Sequence, residues 1–348
     1  MISNLNAIAQ DSVSIGFQVN VLKGNILPHS ADIKALSYSS PHGFSATLLR
    51  QNSRSGKSER YPIKSRNGLK MQFVNFNNSK QLGSAFSISG FTEPLMGSNR
   101  KLFISAPIEF GFVYVSKIYH PTTNPENLFF STPISFYLNA GLHLNFKLGK
   151  QTILNAGMQY QHISNGGIKM PNKGMNFITM NTGICYYLQA PNWQKNKPIT
   201  SKKLQTKYLF ESYLIGSAKT LTETNELKPI IGFQVSYLKP IALFHHWMLS
   251  TEGVYHTFNK AYFARRGEEI NPWMQSVLGG YALRIGNTSF QVLLGLPVIN
   301  KTSNEKLLYQ RYALVQTIKE RFLLTMSLKA EGHVADIFDL RLGYRITR

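Results

Sequence analysis

The chain has 348 residues, 43% hydrophobic, 12% aromatic and only 16% charged. That is enough apolar material for one large or two smaller domains, yet no apolar run approaches the about twenty residues that a transmembrane helix needs. A formal net charge of +21 calls for an acidic partner, and a single cysteine, Cys185, excludes an intrachain disulfide.

In chain order, residues 1–10 read as the end of a signal peptide. Ala7-Ile8-Ala9 before Gln10 has the small-x-small pattern of a signal-peptidase site, so the exported chain is expected to begin near Gln10. Strands are predicted at 13–23, 43–51, 70–77, 83–91, 101–119, 134–148, 151–164 and 176–188. The clearest is 134–148, where Ile134, Phe136, Leu138, Ala140, Leu142, Leu144, Phe146 and Leu148 alternate with mostly polar residues. Successive side chains of a strand point to opposite faces, so such a strand fits a wall between hydrocarbon and a polar lumen. Eight strands make the smallest closed transmembrane barrel, and residues 11–190 are assigned to it.

Basic residues gather in two expected connections. Arg50, Arg54, Lys57, Arg60, Lys64, Arg66 and Lys70 mark one, and Lys195, Lys197, Lys202, Lys203 and Lys207 the other. Residues 191–206, with Pro191 and Pro198, read as a basic linker. Beyond it, 207–348 holds eight more amphipathic segments: 208–219, 229–240, 247–258, 274–285, 289–298, 309–319, 322–333 and 337–346. These form either a second barrel or a continuation of the same wall. IGFQVNVLK at 15–23 and IGFQVSYLK at 231–239 hint at duplication, each expected to open a set of strands. His333 falls on the polar face of its segment, and His245 and His246 point to opposite faces, against joint metal ligation. Cys185 reads as a small packing residue. The fold class expected is therefore all-β, an antiparallel transmembrane barrel plus a second strand-rich half.

The segment 162–176, HISNGGIKMPNKGMN, carries the chemistry. Period-two alternation puts Leu154, Ala156, Met158 and Tyr160 on one face with His162 and Ser164. In the following strand Asn176, Ile178 and Met180 take the same side. The Gly-, Asn- and Pro-rich stretch between suits a hairpin loop. A Ser hydroxyl beside an imidazole that takes its proton is the arrangement for nucleophilic ester cleavage.

The run HISNGG followed by Pro171-Asn172-Lys173-Gly174 resembles the active-site hairpin of the PagL-type lipid A 3-O-deacylases, a family also described as bacterial acyloxyacyl hydrolases. The resemblance covers about residues 11–190. It implies an eight-stranded outer-membrane barrel that removes an ester-linked acyl chain from lipid A with a Ser-His-Glu triad on its outer wall. Carried over, Ser164 is the nucleophile and His162 the general base. Asn165, with the N–H groups of Gly166 and Gly167, holds the oxyanion. Asn176 stands where the family has its acid, and Glu126 in the 119–129 loop is a candidate for the missing carboxylate. Acyl chains would lie against Met158, Tyr160, Ile178 and Met180. Neither a metal nor a cofactor is expected.

For the acidic partner, the phosphates of lipopolysaccharide and anionic lipid head groups fit a barrel. Nucleic acid is disfavoured because no recognition fold or motif accompanies the charge. The alternative to an esterase is a catalytically weak or inactive barrel with a structural, binding or transport role.

Overall fold

The computed structural model describes residues 13–52, 64–193, 208–222, 224–242, 244–299, 308–332 and 334–347. The proposed signal-peptide end, Arg54, Lys57, Arg60, the lysines of the proposed linker and His333 lie outside the described residues. The chain divides into two compact units, Met1–Ser164 with Lys173–Ile199, and Asn165–Asn172 with Thr200–Arg348.

In the first unit the strands are β1 (Val13–Leu27), β2 (His42–Asn52), β3 (Lys64–Asn78), β4 (Gly83–Met96), β5 (Leu102–Ser105), β6 (Ile108–Val115), β7 (Ile134–Lys147), β8 (Thr152–Ser164) and β9 (Met175–Tyr187). Neighbours in sequence pair antiparallel, β5 and β6 share the place between β4 and β7, and β1 pairs with β9. The pairings therefore close a ring with eight strand positions. The expected single strand 101–119 is broken at Ala106-Pro107. Pro107 has no N–H for a ladder, although its carbonyl still accepts from Gly141 N at 2.9 Å.

The faces are inverted relative to a water-soluble protein. Along β1 the side chains of Ile15, Phe17, Val19 and Val21 are exposed, whereas Ser14, Gln18 and Asn20 are buried. Along β7 Leu138, Leu142 and Leu144 face out while Asn139, His143 and Asn145 face in. An apolar outer band around a polar lumen is what hydrocarbon on the outside selects.

One sequence expectation is corrected here. Arg66 and Lys70 are not connection residues: β3 starts at Lys64, and both side chains are buried in the lumen. Arg66 Nη1 lies 3.4 Å from Glu93 Oε2, and Lys70 Nζ 2.9 Å from Glu109 Oε1. Ionised groups are tolerated inside only when paired in this way. Cys185 is buried as well, packed with Leu49, Ile153 and Tyr187.

The second unit is a closed barrel of β10 (Leu209–Leu221), β11 (Glu226–Pro240), β12 (His245–His256), β13 (Trp273–Ile285), β14 (Thr288–Ile299), β15 (Tyr309–Ile318), β16 (Phe322–Glu331) and β17 (Val334–Thr347). The second half is thus a barrel of its own. In this unit the sequence reading missed the helix α1 (Thr257–Ala264), which takes up the end of the expected strand 247–258. The repeated segment 231–239 lies in β11, the second strand of its barrel rather than the opening one. Gln18 and Gln234 nevertheless both face inward.

The second lumen is filled with charge. Arg311 reaches Glu252 and Asp339, each at 2.6 Å, Arg341 Nη2 lies 3.0 Å from Glu252, and Arg345 Nε donates to Glu211 at 2.8 Å.

Candidate active site

Strands β8 and β9 run side by side in a register that places His162 directly opposite Asn176. The two preceding outward pairs on the same face are Tyr160 opposite Ile178 and Met158 opposite Met180. These four apolar side chains form a strip that descends from the His162/Asn176 pair for roughly 13 Å, at the usual rise of a strand. Met158, Tyr160 and Met180 are exposed and Ile178 is half-buried. On the other flank Leu138 and Phe136 of β7 stand opposite His162 and Ser164.

The inward neighbours of the site residues hold the strand ends still. Ile163 and Met175 are buried with Phe76, Phe129, Phe130, Tyr137 and Phe177 in an apolar cluster at this end of the barrel. Phe129 and Phe130 come from the segment between β6 and β7, and that segment also grips the hairpin backbone. Lys173 N donates to Leu128 O at 3.0 Å and Gly174 N to Phe129 O at 3.2 Å. With Ile163 locked inward, alternation turns His162 and Ser164 outward.

The imidazole is oriented from behind. His162 Nδ1 donates to Asn176 Oδ1 at 2.6 Å. With the hydrogen on Nδ1, a neutral ring leaves Nε2 as a base. Gly174 shapes the space between the ring and Ser164. It has φ +68°, and a Cβ there would stand 3.0 Å from His162 Cε1 and 3.2 Å from Ser164 Cβ. A left-handed turn with no room for a methyl group needs glycine.

The residues expected to hold the oxyanion, Asn165, Gly166 and Gly167, belong to the second unit. Asn165 is buried, and its side chain is tied into the turn. Its Nδ2 donates to Lys169 O at 2.7 Å, while its Oδ1 accepts from Gly167 N at 3.0 Å. In this arrangement Gly167 N is directed to Asn165 and not toward an oxyanion, a departure from the sequence expectation. Gly166 has φ +66° and its carbonyl accepts from Phe338 N at 3.0 Å.

Glu126 does not supply the missing acid in this arrangement. Its carboxylate accepts from Gln81 Nε2, and the His162 Nδ1 position is held by Asn176. Among the described residues no three His, Cys, Asp or Glu side chains group as metal ligands. His29, which the sequence reading passed over, stands at the far end of Asn176: Asn176 Nδ2 is 3.3 Å from His29 Nδ1. The only sequence signal for it is barrel closure, because β1 pairs with β9 and Leu27 falls opposite Asn176.

Two family models match the chain, one in each half. Residues 52–185 match the family lipid A 3-O-deacylase (PagL), and residues 208–348 match the acyloxyacyl hydrolase C-terminal domain. No curated protein matches the chain. Among solved structures, Neisserial surface protein A (NspA) is similar over 51% of this chain and 99% of its own, at 12% identity and TM-score 0.35. A Rh. blastica porin mutant covers 96% and 100% at 6% identity and TM-score 0.21. Pseudomonas aeruginosa OccK5 (OpdH) covers 96% and 97% at 8% identity and TM-score 0.25. Matched in tandem by the deacylase domain and by its C-terminal companion, the chain belongs to the PagL-type lipid A 3-O-deacylase family.

Proposed function

We propose that this chain is an outer-membrane esterase that removes an ester-linked acyl chain from lipid A, with Ser164 as nucleophile and His162 as general base. The observation that carries the reading is the bond from His162 Nδ1 to Asn176 Oδ1, made on the outward apolar face beside Ser164. It leaves the base nitrogen of His162 for the serine hydroxyl.

The chemistry follows from the groups present. Ser164 Oγ attacks the ester carbonyl carbon as its proton passes to His162 Nε2. The tetrahedral oxyanion collapses, the bond from the acyl carbon to the sugar oxygen breaks, and His162 returns the proton to that oxygen. Water then attacks the acyl-serine with His162 again as base, releasing the fatty acid and restoring Ser164. The donor we assign to the oxyanion is the second hydrogen of Asn165 Nδ2, beyond the one given to Lys169 O, with Gly166 N–H as second candidate. Met158, Tyr160, Ile178 and Met180 form the bed for the acyl chain, and no step calls for a metal. The +21 charge favours a phosphorylated lipid.

The third residue slows the proton transfer from Ser164 in this scheme. Asn176 orients the ring but brings no negative charge to the imidazolium, the stabilisation that the acid of a Ser triad adds beyond fixing the tautomer. The test is a mass spectrum of lipid A before and after incubation with the purified protein in detergent. Loss of one acyl chain with matching free fatty acid supports the assignment. Unaltered lipid A under prolonged incubation overturns it in favour of a non-catalytic barrel.

A further inference from the structure

The substitution of an amide for a carboxylate raises a question that a carboxylate never poses. Both oxygens of a carboxylate accept, so either one holds a histidine in the tautomer with hydrogen on Nδ1. An amide has one accepting and one donating end, of nearly equal shape. Presented the wrong way round, it donates to Nδ1, moves the ring hydrogen to Nε2 and removes the base. Something must therefore tell the amide of Asn176 which way to face.

His29 stands where that instruction is needed. The residue lies two positions beyond the end of β1, whose last residue, Leu27, is opposite Asn176. His29 Nε2 is 3.0 Å from the carbonyl oxygen of Lys173, and Asn176 Nδ2 is 3.3 Å from His29 Nδ1. A backbone carbonyl only accepts, so His29 Nε2 must carry the hydrogen. In the neutral ring Nδ1 is then a lone pair, which can only accept, so the end of Asn176 facing it must be the NH2. The opposite end is the oxygen, which accepts from His162 Nδ1 at 2.6 Å. One fixed carbonyl thus determines, through three hydrogen bonds, that His162 Nε2 is a base.

The fixed point is well held. Lys173 N bonds Leu128 O at 3.0 Å, and the Lys173 ammonium lies 3.1 Å from Asp32, three residues past His29. The same residue therefore receives His29 through its carbonyl and ties down the segment that carries His29 through its side chain.

We infer that His29 is a positioning residue that sets the amide orientation of Asn176 and, through it, the tautomer of His162. The inference rests on the esterase reading above. It makes His29 dispensable once the third residue is a carboxylate.

The test is a set of variants of the full chain in detergent, assayed on lipid A and by 15N NMR of the histidine rings. His29→Phe keeps the ring shape and removes both nitrogens. We expect kcat to fall about tenfold, the worth of one strong hydrogen bond, with KM unchanged and the His162 hydrogen redistributed from Nδ1 to Nε2. His29→Gln places an acceptor and a donor at about the spacing of the two ring nitrogens and is expected to restore kcat. In an Asn176→Asp background, His29→Phe is expected to change kcat less than about twofold, the mark of an effect carried by amide orientation. An equal loss in both backgrounds, or an unchanged His162 tautomer in His29→Phe, overturns the inference. The NMR reading does not need turnover, so an inactive wild-type chain would sink the esterase reading while still deciding the role of His29.

Discussion

His162 and Asn176 face each other across β8 and β9, joined through Nδ1 and Oδ1 at 2.6 Å, although the two residues belong to different strands of the hairpin. The relationship makes the charge of the third member testable at the atom that faces His162. Asp has the shape of Asn, so Asn176→Asp would put a carboxylate oxygen where the amide oxygen now sits. We expect kcat for deacylation to rise at least about tenfold, because the carboxylate adds charge stabilisation of the imidazolium to a tautomer that is already fixed. Parallel rate measurements on the two forms at one pH and in one detergent check this. A slower Asp form would show that charge behind His162 is not what limits the reaction.

Ser164→Ala removes the nucleophile and little else, because Ser164 is half-buried at the end of β8 with its backbone in the ladder. Acyl release should vanish while heat-modifiable migration on gels, the signature of a folded barrel, is retained. Residual deacylation at the wild-type rate in the folded variant would remove Ser164 from the mechanism.

Gly174→Ala tests how closely the site is packed. The new methyl group would meet His162 Cε1 at 3.0 Å and Ser164 Cβ at 3.2 Å, in a backbone conformation at φ +68°. The conformational strain alone costs about 1 kcal/mol, and the ring must give way by a few tenths of an ångström. Since about 1 Å of misplacement costs about a hundredfold, a shift of this size is expected to lower kcat by about tenfold or less with the barrel still folded. Wild-type turnover in this variant would show that the ring and the serine are not held to their present separation.

In the second barrel, Arg345 and Glu211 form a buried pair with Nε to Oε1 at 2.8 Å. Replacing Glu211 by Gln strands a guanidinium in the lumen at a cost of about 3–5 kcal/mol, whereas replacing both residues by Leu removes the charge with its counter-charge and costs less. The thermal midpoint of the mobility shift should therefore drop further in the single variant than in the double. The reverse order would show that the pair is a net source of stability.

Much of the architecture was legible because a wall between hydrocarbon and a lumen forces alternation on each strand. The strands around Phe17, Leu142 and Met158 could be read from that alone, and the shared face of His162, Ser164 and Asn176 followed from parity. Arg66 and Lys70 lie in β3 and escape that reading. Their charge suggested a connection, and the partners that make burial tolerable, Glu93 and Glu109, come from distant strands. The break before Pro107 and the helix that begins at Thr257 interrupt patterns that continue past them. His29 was hidden more deeply. It lies 147 residues from Asn176, and only the closing of β1 onto β9 makes them neighbours.

The charge-packed interior of the second barrel has a bearing on ion passage. Glu252 is shared between Arg311 and Arg341, Asp339 holds Arg311 from its other side, and all four side chains are almost wholly buried. A hydrated ion entering such a lumen would have to break several guanidinium–carboxylate contacts at once while shedding its own water, with nothing to replace either. The charge pairs thus make the second barrel a stopper as well as a wall, with its lumen barred to ions by its own side chains.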